Sequence, residues 1–450
     1  MKLAKLSLAA MVVAGLTSSS FAADTLADAF KNGKVTGELR AWYFDRDTSD
    51  KNPTSFTGNI TGKGDAGIFN TGVILGYVTD SLYGFKFGAT VQSNYAPGAD
   101  NEAKNVFGAD EYGSGAVFSE AYLAYTLGNT TAKVGRQFIS TPLVGGSGSR
   151  MIKESFEGAV LVNTDLPQTT LIGGYVDKFQ GRTTAVGKDD SIDGISVGEF
   201  RKAITTTAGG TKFAAGTVKS VPSEVSFDGA YTIGVINKSI TNLTLTVQYA
   251  LGNDVAQTGD VDLYHGEANY LLPLSNFKLG FDAMYRASRV DDAISSNFDG
   301  SYTGARVSIQ ELAGFGTSFA YGTTSKKDDV IGGFGGGPST YTATLIRSSG
   351  ASLGANTDSY RFDITYDFSK VGVTGLKALA SYSQAKQDSS DVFATKVDTK
   401  YTSYAGGLSY DVPALKGLSL ALQYETQEKE VGTASGVDTD ELRFMANYKF

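Results

Sequence analysis

Along most of the chain, apolar and polar side chains alternate with a period of two. Leu418, Leu420, Leu422 and Tyr424 fall on one face of their segment, and Ser419, Ala421, Gln423 and Glu425 on the other. Tyr360, Phe362, Ile364, Tyr366 and Phe368 alternate in the same way with Arg361, Asp363, Thr365 and Asp367. Leu243, Leu245, Val247 and Tyr249 are set against Thr244, Thr246 and Gln248. A strand sends successive side chains to opposite faces, so each segment predicts a strand with one oily face and one wet face. Segments of this kind start near residues 34, 67, 83, 117, 130, 156, 168, 226, 241, 261, 275, 301, 314, 358, 376, 400, 418 and 438. That is a count of eighteen, with sixteen as the alternative.

The connectors alternate as well. Gly128-Asn129, Pro167-Gln168, Ser239 to Asn242, Pro273 to Asn276 and Pro413 to Gly417 are short links, whereas 179–225 and 325–357 are long polar stretches. Short turns at one end and long loops at the other predict an all-β fold. It is a transmembrane antiparallel β-barrel with short periplasmic turns and long extracellular loops. A soluble β-sandwich also alternates, but gives no reason for this asymmetry. The apolar faces often end in Tyr or Phe, as expected where aromatic girdles meet the membrane interfaces. Barrels of about 16–18 strands are too wide for side chains to fill, which leaves an aqueous channel.

Composition agrees with this picture. Glycine is abundant (55), proline scarce (8), and there are 24 tyrosines and 26 phenylalanines in 450 residues. There is no cysteine, so disulfides and thiol chemistry are excluded. Lys2 and Lys5, the apolar run Leu6 to Leu16 and the small residues Ser20 and Ala22 read as a secretory signal peptide over residues 1–22. Residues 23–450 then form a single barrel domain. The net charge is −8, and two units lower without Lys2 and Lys5. An acidic chain of this kind is a poor partner for nucleic acid. The expected partners are outer-membrane lipid and small hydrophilic solutes or ions.

Leu442, Phe444, Ala446, Tyr448 and Phe450 share one face of the last strand. A terminal aromatic on such a strand resembles the assembly signal read by the outer-membrane insertion machinery, with Tyr448 and Phe450 as its residues.

Two motifs bring a family into view. Arg40-Ala41-Trp42-Tyr43-Phe44-Asp45-Arg46-Asp47 resembles the R-x-x-Y-F-x-R-D first strand of OprD-like porins. Gly148-Ser149-Arg150-Met151 to Phe156-Glu157-Gly158 resembles their D-S-R-[LM] to [FY]-E-G stretch. Gly148 stands where the family usually has Asp, and Lys153 where it often has Pro. The resemblance implies an 18-stranded barrel, often a homotrimer, with a loop folded into the pore and basic side chains along the solute path. Some members favour cations and bind calcium.

The expected function is passive diffusion of small hydrophilic solutes, with selection by pore size and charged side chains. The glycine-rich loop at 139–155, after the fifth strand, is the expected constriction, with Arg150 facing the solute and Lys153 and Glu154 beside it. Parity and position nominate Glu38, Arg40, Glu157, Arg286, Arg306, Arg361 and Asp363 as further lumen residues. Lys86, Lys278, Arg443, Glu120, Glu267, Asp282 and Glu425 share that parity. Opposed charged walls would set up a transverse field; pairing across neighbouring strands is the better reading for any single residue. The parity of Arg136 is awkward: Val134 faces lipid, so Arg136 points outward unless a bulge intervenes or it lies above the bilayer.

No catalytic or cofactor site is expected. Gly194-Ile195-Ser196-Val197-Gly198 fits the hydrolase elbow, but that turn needs a strand before it and a helix after it. The single histidine, His265, disfavours both a hydrolase and a transition-metal site. Asp110 and Glu111, or Asp328 and Asp329, are the acidic residues that would serve calcium. The competing readings are a structural or adhesive barrel with a plugged lumen and, further off, a barrel hydrolase.

Overall fold

The computed structural model describes residues 23–50, 64–185, 195–208, 224–294, 297–346, 350–388, 398–432 and 434–450. The expected signal peptide, residues 1–22, lies outside them.

The fold is a closed antiparallel barrel of 18 strands. In chain order these are β1 (Lys34–Asp50), β2 (Gly64–Val78), β3 (Phe85–Asn94), β4 (Gly115–Leu127), β5 (Thr130–Gln137) and β6 (Ser155–Asn163). Next come β7 (Thr169–Gln180), β8 (Gly229–Asn237), β9 (Leu243–Val255), β10 (Gly259–Pro273), β11 (Lys278–Val290) and β12 (Ser301–Leu312). The barrel ends with β13 (Phe315–Thr324), β14 (Thr357–Asp367), β15 (Leu376–Gln387), β16 (Thr399–Asp411), β17 (Leu418–Val431) and β18 (Ala434–Lys449). Each segment read from the alternation is one of these strands, and the last shows the largest shift in start, at Ala434 instead of 438. Strand β1 closes the ring, with Arg40 opposite Gly72 of β2 and Asn447 of β18. Closure removes the unpaired edges that a sheet cannot leave in hydrocarbon.

Leu39, Tyr43, Phe69, Val73, Leu123, Val134, Phe281 and Phe319 are exposed apolar residues of one parity, which marks the outer face. The opposite face of β1 carries Arg40, Trp42, Phe44 and Arg46, all buried. No helix among the described residues is long and apolar enough to cross a membrane; strands span this one. Two short helices are described that are not part of the strand wall. Helix α1 (Leu26–Lys31) is capped by Thr25, whose hydroxyl accepts from the Asp28 amide, and α2 (Asn101–Phe107) by Asp100, which accepts from Ala103. Both caps satisfy amides that the first helical turn leaves without partners.

The interior is not an empty tube. The inward faces of β6 to β8 are apolar, with Val160, Val162, Ile172, Val176 and Ile236 buried. Leu143, Ile204 and Phe334, from connections between strands, cover them in one hydrophobic cluster. These positions break the rule that the inner face is polar, because loops rather than water lie against them.

Candidate functional site

The connection from β5 to β6 folds across the barrel interior. Thr141 and Val144 form a tight turn, with Val144 N donating to Thr141 Oγ1 at 3.0 Å. Next to it, Leu143 N donates to Gln248 Oε1 of β9 at 3.0 Å. Further along, Arg40 of β1 donates to the Arg150 and Met151 carbonyls at 3.0 and 3.1 Å. Gln92 of β3 holds Lys153 from both sides of its peptide group, at 2.9 and 3.0 Å. Contacts with β1, β3 and β9 in one loop require it to cross the lumen.

A second connection, from β13 to β14, folds in beside it. Phe334 N donates to Leu143 O at 2.8 Å, and Gly145 N to Phe334 O at 3.0 Å. Arg286 of β11 reaches both loops, donating to Pro142 O at 2.9 Å and also to Gly332 O. Arg361 of β14 donates to Ala343 O at 2.6 Å, and Ile346 N donates to Glu425 of β17 at 2.6 Å. The segment Ala203–Ala208 joins the same assembly by pairing with Ile331–Phe334. Sequence marked 325–357 only as a long polar stretch. Its one signal was the run Gly335-Gly336-Gly337, which permits the close backbone approach seen between Gly337 N and Gly145 O at 2.9 Å.

The expected site residues divide by what they touch. Glu38, Arg40, Arg286, Arg306, Arg361 and Asp363 all lie on the inner face. Arg40 pairs with Glu38 at 2.8 Å, Arg361 with Asp363 at 2.8 Å, and Arg306 with Asp282 at 2.8 Å. The Arg306 guanidinium also lies over the Tyr341 ring, 4.5 Å from its centroid. Tyr341 donates to Glu267 at 2.6 Å and was not singled out in the sequence. Of this group, Arg306, Asp363, Arg361 and Glu38 keep partial exposure, while Arg40 and Arg286 are buried as loop anchors. Lys153 is the loop cation that stays accessible, its side chain 34% exposed and 3.7 Å from Glu38. Burial and the Arg40 charge lower its pKa, partly offset by Glu38.

Three expectations are corrected. Glu157 does not face the lumen: it shares the outer face with Leu161 and pairs with Arg136 at 3.0 Å and Lys178 at 2.6 Å. The register of β6 against β7 shifts between Glu157 and Gly158, and Arg136 does point outward, 4.4 Å from the Phe200 ring. Glu154 is buried and is a tether between the loops, accepting from Ser147 and Gly336 amides at 2.8 Å each, with Arg182 at 3.3 Å. Arg150 does not face the solute. It is buried, with Nε 2.9 Å from Asp110 and 3.7 Å from Glu111.

Asp110 and Glu111 come from the connection between β3 and β4, and Arg150 links that loop to the next. Burial works against the Asp110 carboxylate, but Arg150, Arg46 and Arg182 outweigh it and hold its pKa well below the usual range. Burial pushes the Glu111 carboxyl up to about 8, with Arg150 opposing and Asp110 adding to the rise. Inward aromatics support the cations: Arg40 lies over Trp42 at 4.8 Å and Arg443 over Phe44 at 4.7 Å. These cation–π contacts are stronger where water is excluded.

The other chemical candidates find different roles. Ser196 sits in the short strand Ile195–Val197, paired with Thr183–Ala185, not at a strand-to-helix turn; Gly194 lies outside the described residues. Asp329 accepts from the Ala355 amide at 2.6 Å, and burial raises its pKa to about 6. Among the described residues, no three His, Asp or Glu side chains converge as a metal site. Phe450 N pairs with Gly37 O at 3.0 Å, and the Phe450 ring lies where a Gly37 Cβ would be.

Comparison with known proteins accords with this geometry. No curated protein sequence matches the chain. Among solved structures, Pseudomonas aeruginosa OpdQ superposes with a TM-score of 0.70 at 19% identity, covering 94% of this chain and 99% of that one. Acinetobacter baumannii OccAB3 gives 0.73 at 17% identity, covering 93% and 100%. Pseudomonas aeruginosa OccK8 (OprE) gives 0.69 at 18%, covering 94% and 98%. The sequence profile described as "outer membrane porin, OprD family" matches residues 27–450. With that match over nearly the whole barrel, the chain belongs to the OprD family of outer membrane porins.

Proposed function

We propose that this porin passes small hydrophilic solutes and ions by passive diffusion, through an opening whose width is set by two infolded loops. One observation carries the reading: wall side chains hold loop backbone inside the barrel at several separate points. Arg40 holds the β5–β6 loop, Arg361 the β13–β14 loop and Arg286 both. A charged hydrogen bond from a buried guanidinium to a carbonyl is worth more than a neutral one, so these anchors fix a small aperture in a wide barrel. Lys153, Glu38, Arg306, Arg361 and Asp363 are the charged groups that permeating solutes meet. Each cation has an acidic neighbour, so selection acts through local pairs more than through one uniformly charged wall.

Trimerisation in the outer membrane and recognition of Tyr448 and Phe450 by the insertion machinery complete the proposal, together with cleavage after Ala22. Both aromatics lie at the C-terminal end of β18, beside the short link before β17, their rings 6.2 Å apart. Single-channel recording in a planar bilayer under a salt gradient tests the function. Steady conductance is expected, and the sign of the reversal potential reads charge preference. A barrel that inserts but carries no current would refute the passive-pore reading and favour a structural role.

A further inference from the structure

We infer that a proton on Glu111 keeps the β5–β6 loop seated in the lumen, so that the pore loosens as the outside pH rises. The inference rests on the passive-pore reading. Two adjacent carboxylates, Asp110 and Glu111, share the Arg150 guanidinium unequally, and Asp110 also lies 3.4 Å from Arg46. Asp110 takes the hydrogen bond from Arg150 Nε at 2.9 Å. Glu111 Oε1 is left 3.7 Å from the same nitrogen, with no hydrogen-bond donor, in a residue only 1% exposed. Its other oxygen has a single long contact, from Met151 N at 3.4 Å. A buried carboxylate without donors is costly when charged and takes up a proton instead.

The surroundings do not supply the missing donor. Asn70 and Asn94 donate to the Glu111 backbone carbonyl, not to its carboxyl. From β1, Arg46 is committed to Glu441 at 2.8 Å, to Val106 O at 3.0 Å and to Asp110 at 3.4 Å, not to Glu111. From β18, Arg443 pairs with Glu441 at 2.6 Å, and Glu425 of β17 lies opposite Glu441. Arg182, beyond β7, faces Glu154. Phe44, Phe107, Tyr112 and Met151 close the rest of the pocket in one apolar cluster. Arg150 is the hinge of the device: its side chain grips the β3–β4 loop, while its own carbonyl is held by Arg40. Ionising Glu111 places another negative charge beside Asp110 on a buried carboxyl whose only hydrogen bond among the described residues is the long one from Met151 N. The cost is relieved when the two loops separate and water reaches the carboxyl.

The sign follows from proton binding. Seated, Glu111 titrates at about 8; released into water, it returns to an ordinary carboxyl near 4.5. Seating therefore takes up a proton between those values and is strongest below the lower one. The unseated fraction rises up to about tenfold per pH unit through that window and levels off above the upper value.

The test is single-channel recording of the full-length protein in planar bilayers from pH 5.5 to 9.5. Brief steps to higher conductance are expected to become up to about a hundredfold more frequent from pH 6 to pH 8, and then to level off. Glu111→Gln, which keeps the neutral shape, should show the low frequency at every pH. Asp110→Asn removes the neighbouring charge and should move the transition to lower pH; it serves as the second variant if the first fails to insert. A wild-type trace independent of pH would overturn the inference while leaving the pore intact. So would a Glu111→Gln trace with the wild-type pH dependence. No conductance at any pH would instead overturn the passive-pore reading on which it rests.

Discussion

Arg286 offers the sharpest test of how the lumen is narrowed. Among the described residues it is the one wall side chain that donates to both infolded loops, at Pro142 O and Gly332 O, and it is 3% exposed. Replacing it with methionine keeps an apolar stem of similar reach and removes both bonds. Hydrogen bonds to charged groups contribute about 1.5–3 kcal/mol each, so the pair supplies roughly 3–6 kcal/mol to loop seating. At about 1.4 kcal/mol per factor of ten, seating weakens by roughly a hundredfold to ten-thousandfold. The strand ladders are untouched, so the Arg286→Met barrel should still show the heat-modifiable mobility of a folded barrel in gels. In planar bilayers it should add short-lived levels of larger conductance to the wild-type level. Arg289→Met is the control. Arg289 lies on the outer face of the same strand and, among the described residues, donates to Asp299 O at 2.7 Å and to neither infolded loop, so its traces should match wild type. An Arg286→Met channel with wild-type amplitude and noise would refute the idea that wall arginines hold the loops in place.

Other consequences can be measured in the same preparations. Glu154→Ala leaves the Ser147 and Gly336 amides without their shared acceptor and should cost about 2–5 kcal/mol in denaturant unfolding, whereas Glu154→Gln keeps an acceptor and should cost less than half as much. Lys153→Glu reverses the accessible loop charge beside Glu38, and the reversal potential should shift several-fold toward cations. Phe450→Ala uncovers Gly37 and should lower the fraction of chains reaching the folded, heat-modifiable form in membranes. Gly158→Ala drives a Cβ into the Tyr175 carbonyl at the β6–β7 register shift and should destabilise the barrel by about 1–3 kcal/mol, measured by urea unfolding.

The fold was legible because its rule is local. A strand whose two faces meet lipid and lumen must alternate, and a hydrophobic band of fixed height fixes its length, so strand number and order could be read segment by segment. The inward parity of Glu38, Arg40, Arg286, Arg306, Arg361 and Asp363 followed from the same rule. It misled at Glu157: taking the apolar Val160 and Val162 as lipid-facing turns Glu157 inward, whereas both valines are buried inside the barrel and Glu157 faces outward with Leu161. It also failed on the inner faces of β6 to β8, where valine and isoleucine point inward.

What the charged residues do depended on the tertiary structure. Parity says that Arg40 and Arg286 point inward, but not that loop carbonyls meet them there. Arg150 sits in the motif expected at the constriction, yet Asp110, from another loop, draws its side chain away from the passage. Sequence separation hides such partners: Arg46 finds Glu441 only because the first and last strands meet when the ring closes. Alternation thus determined the barrel. The size and charge of its opening were decided by long-range contacts between loops and wall, which leave no period in the sequence.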